Sequence, residues 1–199
     1  DCQFTRAELF GANLSNSDLT GSDFTRAYLV RANLAGCTLK DVNLDYADLT
    51  GANLRNAHMN GVRLANVFLN EADLSGADLT GSYLYGMTLK DTVWSKVNLR
   101  SSSIIVMNFL NADFSGADLR KTRFAQTYMN NTNFSGADLS GVVFDTSAFE
   151  NADFTGANLQ GVKYDSIALG FFAVSKLDGA KMSADLQKDL EKLRSGKIT

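Results

Sequence analysis

Residues 72–81 read Ala72-Asp73-Leu74-Ser75-Gly76-Ala77-Asp78-Leu79-Thr80-Gly81, one five-residue phrase written twice. The phrase recurs at Ala12-Asn13-Leu14-Ser15-Asn16 and at Ala137-Asp138-Leu139-Ser140-Gly141. With its central residue as origin, every fifth position from Phe4 to Leu169 is Leu, Phe, Met, Ile, Trp or Tyr, 34 positions without a slip. Two residues before each stands a small or medium side chain, as in Ala7, Ala12, Ser17, Ser22, Ala27 and Ala32. The residue between is mostly Asp or Asn, as at Asp18, Asn33, Asp48 and Asn53.

A period of five matches neither the 3.6 of a helix nor the 2.0 of a strand. It fits a chain that turns a corner every five residues, with the large and the small residue pointing inward. Four sides make a coil of 20 residues, and coils stacked at about 4.8 Å let each backbone N–H reach the next coil. The expected fold is an all-β solenoid over residues 1–169. A C-terminal cap over 170–199 follows, with an amphipathic helix at about 183–195.

The repeated units resemble the A(D/N)LXX consensus of the pentapeptide repeat family. The resemblance spans residues 2–169, and it implies a right-handed quadrilateral β-helix. At 8.5 coils the rod would be about 40 Å long.

Residues 20 apart then stack. One inner column reads Phe4, Phe24, Leu44, Leu64, Leu84, Ile104, Phe124, Phe144, Tyr164, and another Leu14, Leu34, Leu54, Leu74, Trp94, Phe114, Phe134, Phe154. These columns are the core. Cys2 and Cys37 fall on small inward positions nearly two coils apart, so they read as buried hydrophobes without a disulfide. With the single His58 on an outward position, no metal site is expected.

Composition agrees. The chain has 199 residues, 45% apolar and 21% charged, too apolar for disorder. No apolar run is long enough to cross a membrane as a helix, so no membrane insertion is expected. There is no Pro. A backbone whose N–H groups are committed to neighbouring coils rejects it. The net charge of −3 is too small to call for a polyelectrolyte partner, and no direct nucleic-acid binding is expected. The first residue is Asp1, and no signal-peptide pattern follows, which reads as a processed form or a fragment.

Two outward groups are candidate binding surfaces. Asp18, Asp78, Asp118 and Asp138 share one face and Asp73, Asp113 and Asp153 the next. They are an acidic edge facing a basic partner, or simply turn residues bonding their own backbone. The second group lies around residues 81–110, where the consensus loosens. Met87 and Met107 replace the small inward residue and should stack. Tyr83, Tyr85, Ile105, Val106 and Leu110 are outward and apolar, with Phe68 and Tyr128 on the adjoining face. Such a patch on a rod reads as an interface.

After Leu169 the register shifts by three and resumes as Phe172, Leu177 and Met182. Ser183 reads as an N-cap, and Leu186, Leu190 and Leu193 line one helical face. That face covers the end of the solenoid or pairs with its copy in a homodimer, two compatible roles. The opposite end has no such cap: Cys2 and Phe4 are already in register.

Phosphate loops, HExxH, CxxC and GxSxG are absent, and the interior is filled by side chains. The reading is a non-enzymatic rod without cofactor that binds an unidentified protein partner. The family resemblance adds an alternative, a DNA-mimicking regulator or protector of DNA gyrase. It also implies a thylakoid lumen, or a cyanobacterial or bacterial cytoplasm, as the compartment.

Overall fold

The computed structural model describes residues 2–196, so Asp1 and residues 197–199 of the two expected domains lie outside the described residues. The chain winds as a right-handed quadrilateral β-helix of parallel coils. We name its sides A, B, C and D after the outward columns that begin at Gln3, Glu8, Asn13 and Asp18. Each column steps by 20 residues, as in the pairs Gln3↔Asp23, Glu8↔Tyr28, Asn13↔Asn33 and Asp18↔Thr38.

Side A is the most regular. Strands β1 (Arg63–Ala65), β2 (Tyr83–Tyr85), β3 (Ser103–Ile105), β4 (Arg123–Ala125), β5 (Val143–Asp145) and β7 (Lys163–Tyr164) form a parallel six-stranded sheet in that order. A second sheet pairs β6 (Asn158–Leu159) with β8 (Lys181–Met182). Between coils, Phe24 N–H donates to Asn43 O at 2.8 Å and Asn53 N–H to Ala32 O at 2.9 Å, and this alternation repeats along the rod.

Each corner closes in one step. Every residue two after a large one, from Arg6 to Gly161, has φ between 51° and 72°. This left-handed turn explains the Gly, Asn and Asp found there, such as Gly76, Asn16 and Asp41. In most corners the small inward residue donates its N–H back to the preceding large one, as Ala77 does to Leu74 O at 2.9 Å.

The A–B edge changes at residue 63. In the first three coils Ala7, Ala27 and Ala47 close tight corners there. Further on the inward residue is Val67, Met87, Met107, Thr127 or Ser147, and the chain runs extended through β1–β5. The freed N–H finds another acceptor: Met87 N–H donates to Met107 Sδ at 3.3 Å, and Thr127 N–H to Ser147 Oγ at 3.3 Å. Met87 and Met107 do stack.

The interior is filled. Rings ladder along the columns, with Phe114–Phe134 centroids 5.4 Å apart and Phe134–Phe154 5.0 Å apart. Trp94 is fully buried, and its indole N–H donates to Thr92 Oγ1 at 2.8 Å. Inward hydroxyls are paired to backbone: Ser102 to Leu79 O at 2.8 Å and Thr122 to Leu99 O at 2.6 Å. Cys37 is buried and does the same toward Leu14 O at 2.9 Å, and burial pushes its thiol up. Cys2, expected to be buried, is exposed, because Phe4, Leu9 and Leu14 of its coil are themselves only partly covered.

The other end is closed by two helices. The repeat continues in the solenoid only to Tyr164. Leu169 is not a corner residue but lies in helix α1 (Ser166–Val174), and so does Phe172. Asp165 caps α1 by accepting from Ala168 N–H at 2.9 Å. Phe172 lands on the core columns, 4.8 Å from the Phe149 ring and 5.3 Å from Phe154. The coil then resumes with an offset of 23 residues, Asp153↔Lys176 and Leu159↔Met182. Helix α2 (Ala184–Arg194) is capped by Ser183 and packs on α1. Tyr164 donates to Asp189 at 3.0 Å across this junction; burial and that carboxylate push the phenol up to about 12. Leu186 and Leu190 are buried within the chain and Leu193 is partly so. Leu186 and Leu190 of this helical face thus cover the chain's own end.

Candidate binding surface

The outward positions fall into two chemistries. On sides C and D each candidate acid is turned onto its own backbone. Asp18, Asp73, Asp78, Asp113, Asp118, Asp138 and Asp153 all accept the N–H two residues on, at 2.9 to 3.2 Å. This is the Asx turn. Neighbouring amides add ladders, Asn133 to Asp113 at 2.9 Å and Asn158 to Asp138 at 3.1 Å. Cations reach several of them: Arg55 to Asp73 at 2.7 Å, Arg120 to Asp118 at 2.5 Å and Lys176 to Asp153 at 3.3 Å.

Protonation follows these contacts. Hydrogen bonds from Thr20 hold the Asp18 carboxyl below the usual carboxylate range. Arg120 does so for Asp118, and the Thr155 hydroxyl for Asp153. At Asp73 burial pushes the other way and is outweighed by Ser75 and Arg55. His58 stands among these residues on side D, paired with Thr38 and Asp78, and is exposed.

Side B differs. Its column reads Glu8, Tyr28, Asp48, Phe68, Thr88, Asn108, Tyr128, Ala148, and Phe68 and Tyr128 are 55% and 61% exposed. Val106 and Tyr85 project along its edge with side A, and Leu110 along its edge with side C. Ile105 is half-buried beside Tyr85, its partner in the β2–β3 pair. Tyr83 departs from the expected group. It lies on side A, stacked 6.3 Å from Tyr85, with the Arg63 guanidinium 5.2 Å from its ring.

Three exposed aromatics of this flank were not singled out from the sequence: Phe10, Tyr28 and Tyr46. Their offsets from Leu9, Leu29 and Leu44 make each of them outward, so the period alone could have found them. With these added, every large exposed apolar side chain of the described solenoid lies on side B or its two edges.

Two concavities follow from the wide A–B corners. One, of about 400 Å³, is lined by Tyr46, Asn66, Phe68, Asn70, Gly86 and Met87. The next, of about 330 Å³, lies between Thr88, Val106, Met107, Asn108, Gln126 and Tyr128. Together they form a dent over Thr88 and Asn108, between the projecting rings of Phe68 and Tyr128. Val106 forms its lip with φ 53°, a β-branched residue in a left-handed turn.

Models of pentapeptide repeats match residues 2–41, 22–61, 43–81, 57–93, 108–145 and 130–166. This chain belongs to the pentapeptide repeat family. Among solved structures of similar fold is HetL, a pentapeptide repeat protein involved in heterocyst differentiation regulation from the cyanobacterium Nostoc sp. strain PCC 7120. It is 24% identical, with 90% of this chain and 78% of that one covered and a TM-score of 0.60. Full-length QnrB1, a plasmid-mediated fluoroquinolone resistance protein, is 16% identical over 97% of each chain, with a TM-score of 0.52. Rfr23 from the cyanobacterium Cyanothece 51142 is 18% identical over 68% of this chain and 91% of its own, with a TM-score of 0.50. These likenesses show the fold. A search of curated proteins finds no match. Among the described residues, no helix is long and apolar enough to cross a membrane.

Proposed function

We propose that this pentapeptide repeat protein is a non-enzymatic, rigid scaffold for protein–protein interaction that presents side B to its partner. One observation carries this reading. The exposed large apolar side chains of the solenoid are gathered on one flank, around a preformed dent, while sides C and D carry mostly polar groups bonded to their own turns. Apolar surface concentrated in that way marks a contact site, and Tyr and Phe are the residues such sites favour.

The test is a pull-down with purified protein, comparing wild type with Phe68→Ser/Tyr128→Ser and Tyr85→Ser/Ile105→Ser. All should keep the wild-type circular dichroism. Loss of the captured partner in both variants is expected; unchanged capture overturns the assignment. Gyrase protection, the alternative, draws on sides C and D, where the acids are engaged in turns and several carry cations. A supercoiling assay with and without a fluoroquinolone tests it, and we expect no effect. On the resemblance alone we place the protein in a thylakoid lumen, or in a cyanobacterial or bacterial cytoplasm, which fractionation and immunoblotting would check.

A further inference from the structure

We infer that side B is self-complementary and that its occupant is a second copy of this chain, docked antiparallel about a two-fold axis at Thr88. The inference rests on side B being the contact face. It adds the partner and the register.

When two rods meet face to face and antiparallel, the two-fold lies in the interface and across the rods. Each edge of side B then meets the same edge of the copy. With the axis at Thr88, the coil of Phe68 faces the coil of Asn108, that of Asp48 faces Tyr128, and that of Tyr28 faces Ala148. Phe68 enters the dent over the copy's Asn108, between its exposed Val106 and Leu110. Tyr128 comes opposite the copy's Asp48, whose Oδ1 holds Thr50 N–H and whose second oxygen, with no hydrogen bond among the described residues, can accept from a phenol. At the axis Tyr85 meets Tyr85, and the Lys90–Asp91 pair of each copy lies against the same pair of the other, each Lys90 one residue diagonal to the copy's Asp91. The contact runs about 29 Å, six coil steps.

Charge supports this register. Arg26 and Arg31 flank Tyr28, while Asp145 and Glu150 flank Ala148. Edge to edge, Arg26 comes opposite Thr146 with Asp145 one residue away, and Arg31 opposite Asn151 with Glu150 one residue away, so that both long side chains reach an acid on both halves of the interface. Asp145 is already held by Arg123, whereas among the described residues neither Arg31 nor Glu150 has an ion-pair partner. A shift of one coil removes the match. In one direction Asp45 faces Asp145, and the Phe68 and Tyr128 rings collide. In the other, Arg31 comes against Asn130 and Asn131 and loses its partner. Like charges across an interface are costly and set register.

The test is sedimentation velocity on the full chain from roughly 1 to 200 µM, a range suited to an interface at the small end of specific contacts. Wild type should show a reversible monomer–dimer equilibrium that weakens with salt. Arg31→Glu alone and Glu150→Arg alone should each weaken it by about tenfold or more. The double variant should recover most of the loss. Phe68→Ser should weaken it without changing circular dichroism. A wild type that stays monomeric throughout overturns the inference, as does a double variant no better than the singles. If the chain is monomeric yet its partner is lost in the Phe68→Ser/Tyr128→Ser pull-down, the scaffold reading stands and self-docking falls. If neither responds, both fall.

Discussion

Sides C and D and side B are built from the same five-residue unit, with the same coil-to-coil bonds, yet they spend the outward residue differently. On C and D the residue before each large one is mostly Asp or Asn, and it secures its own corner, as Asp78 does with Thr80 N–H at 3.0 Å. On side B Asp48 and Asn108 still do so, but Tyr28, Phe68, Thr88 and Tyr128 stand at the same position and cannot make an Asx turn. Side B gives up local stabilisation and exposes apolar surface in return. A flank that departs from the repeat's own chemistry in the unfavourable direction is the flank to examine for function.

The comparison assumes that the backbone ladder is equal on both flanks and that only the side chains differ. The largest test is proline. Asp78 N–H donates to Ala57 O at 2.9 Å and Tyr128 N–H to Met107 O at 2.9 Å. Tyr128→Pro should cost about 3 kcal/mol in urea unfolding, and Asp78→Pro about 1 kcal/mol more, because it also removes the acceptor of Thr80 N–H. A Tyr128→Pro protein as stable as wild type would mean that side B is not laddered like the rest. Proline at Ala77 or Ala117 is a different probe, since those N–H groups bond within their own corners, to Leu74 O and Phe114 O.

Side chains come next. Asp73→Ala should lose about 1 kcal/mol by freeing Ser75 N–H, whereas Phe68→Ala should change stability by less than about 0.5 kcal/mol. Equal losses would erase the distinction between the flanks. Acid sharpens it further. The carboxyls of Asp73, Asp118 and Asp153 lie below their usual range. Their stabilisation is therefore complete above about pH 4 and is lost as pH falls through the lowered folded values. The melting temperature should fall below about pH 4, and less so in Asp73→Asn, which keeps a turn acceptor without a charge to lose. The smallest effect is a gain. Val106→Asn relieves a β-branched residue at positive φ and should add about 0.5 kcal/mol, read as a higher urea midpoint.

Most of the rod was legible because one rule, large residues every five, leaves no freedom in which side chains face inward. The exposed flank was half legible. Phe68, Tyr85, Val106, Leu110 and Tyr128 were visible as apolar outward residues, but Phe10, Tyr28 and Tyr46 lie in coils whose consensus is otherwise clean. Helix α1 was missed because Leu169 falls five after Tyr164 by coincidence. The contrary signal was Ile167, which stands where the repeat wants a small inward residue and is exposed on the helix instead. Ala168, Leu169 and Phe172, buried together, already carry helical spacing. The acids could not be assigned from sequence, because recognition and turn formation call for the same residue at the same place.

The detour through α1 shows what the winding tolerates. Coils return in phase across it because the chain closes a full circuit in 23 residues, not 20. Up to Tyr164 the corners act as an angular address: the remainder of a residue's number on division by 20 fixes which compass direction it faces. Adding or deleting a whole coil lengthens or shortens the rod and leaves every bearing unchanged. Deleting one pentapeptide between Asn108 and Tyr128 would turn everything beyond it by a quarter revolution, carrying Tyr128 away from Phe68 while the core stayed filled. Evolution of such a rod can thus retune which residues look the same way without inventing a new fold, one quarter-turn at a time.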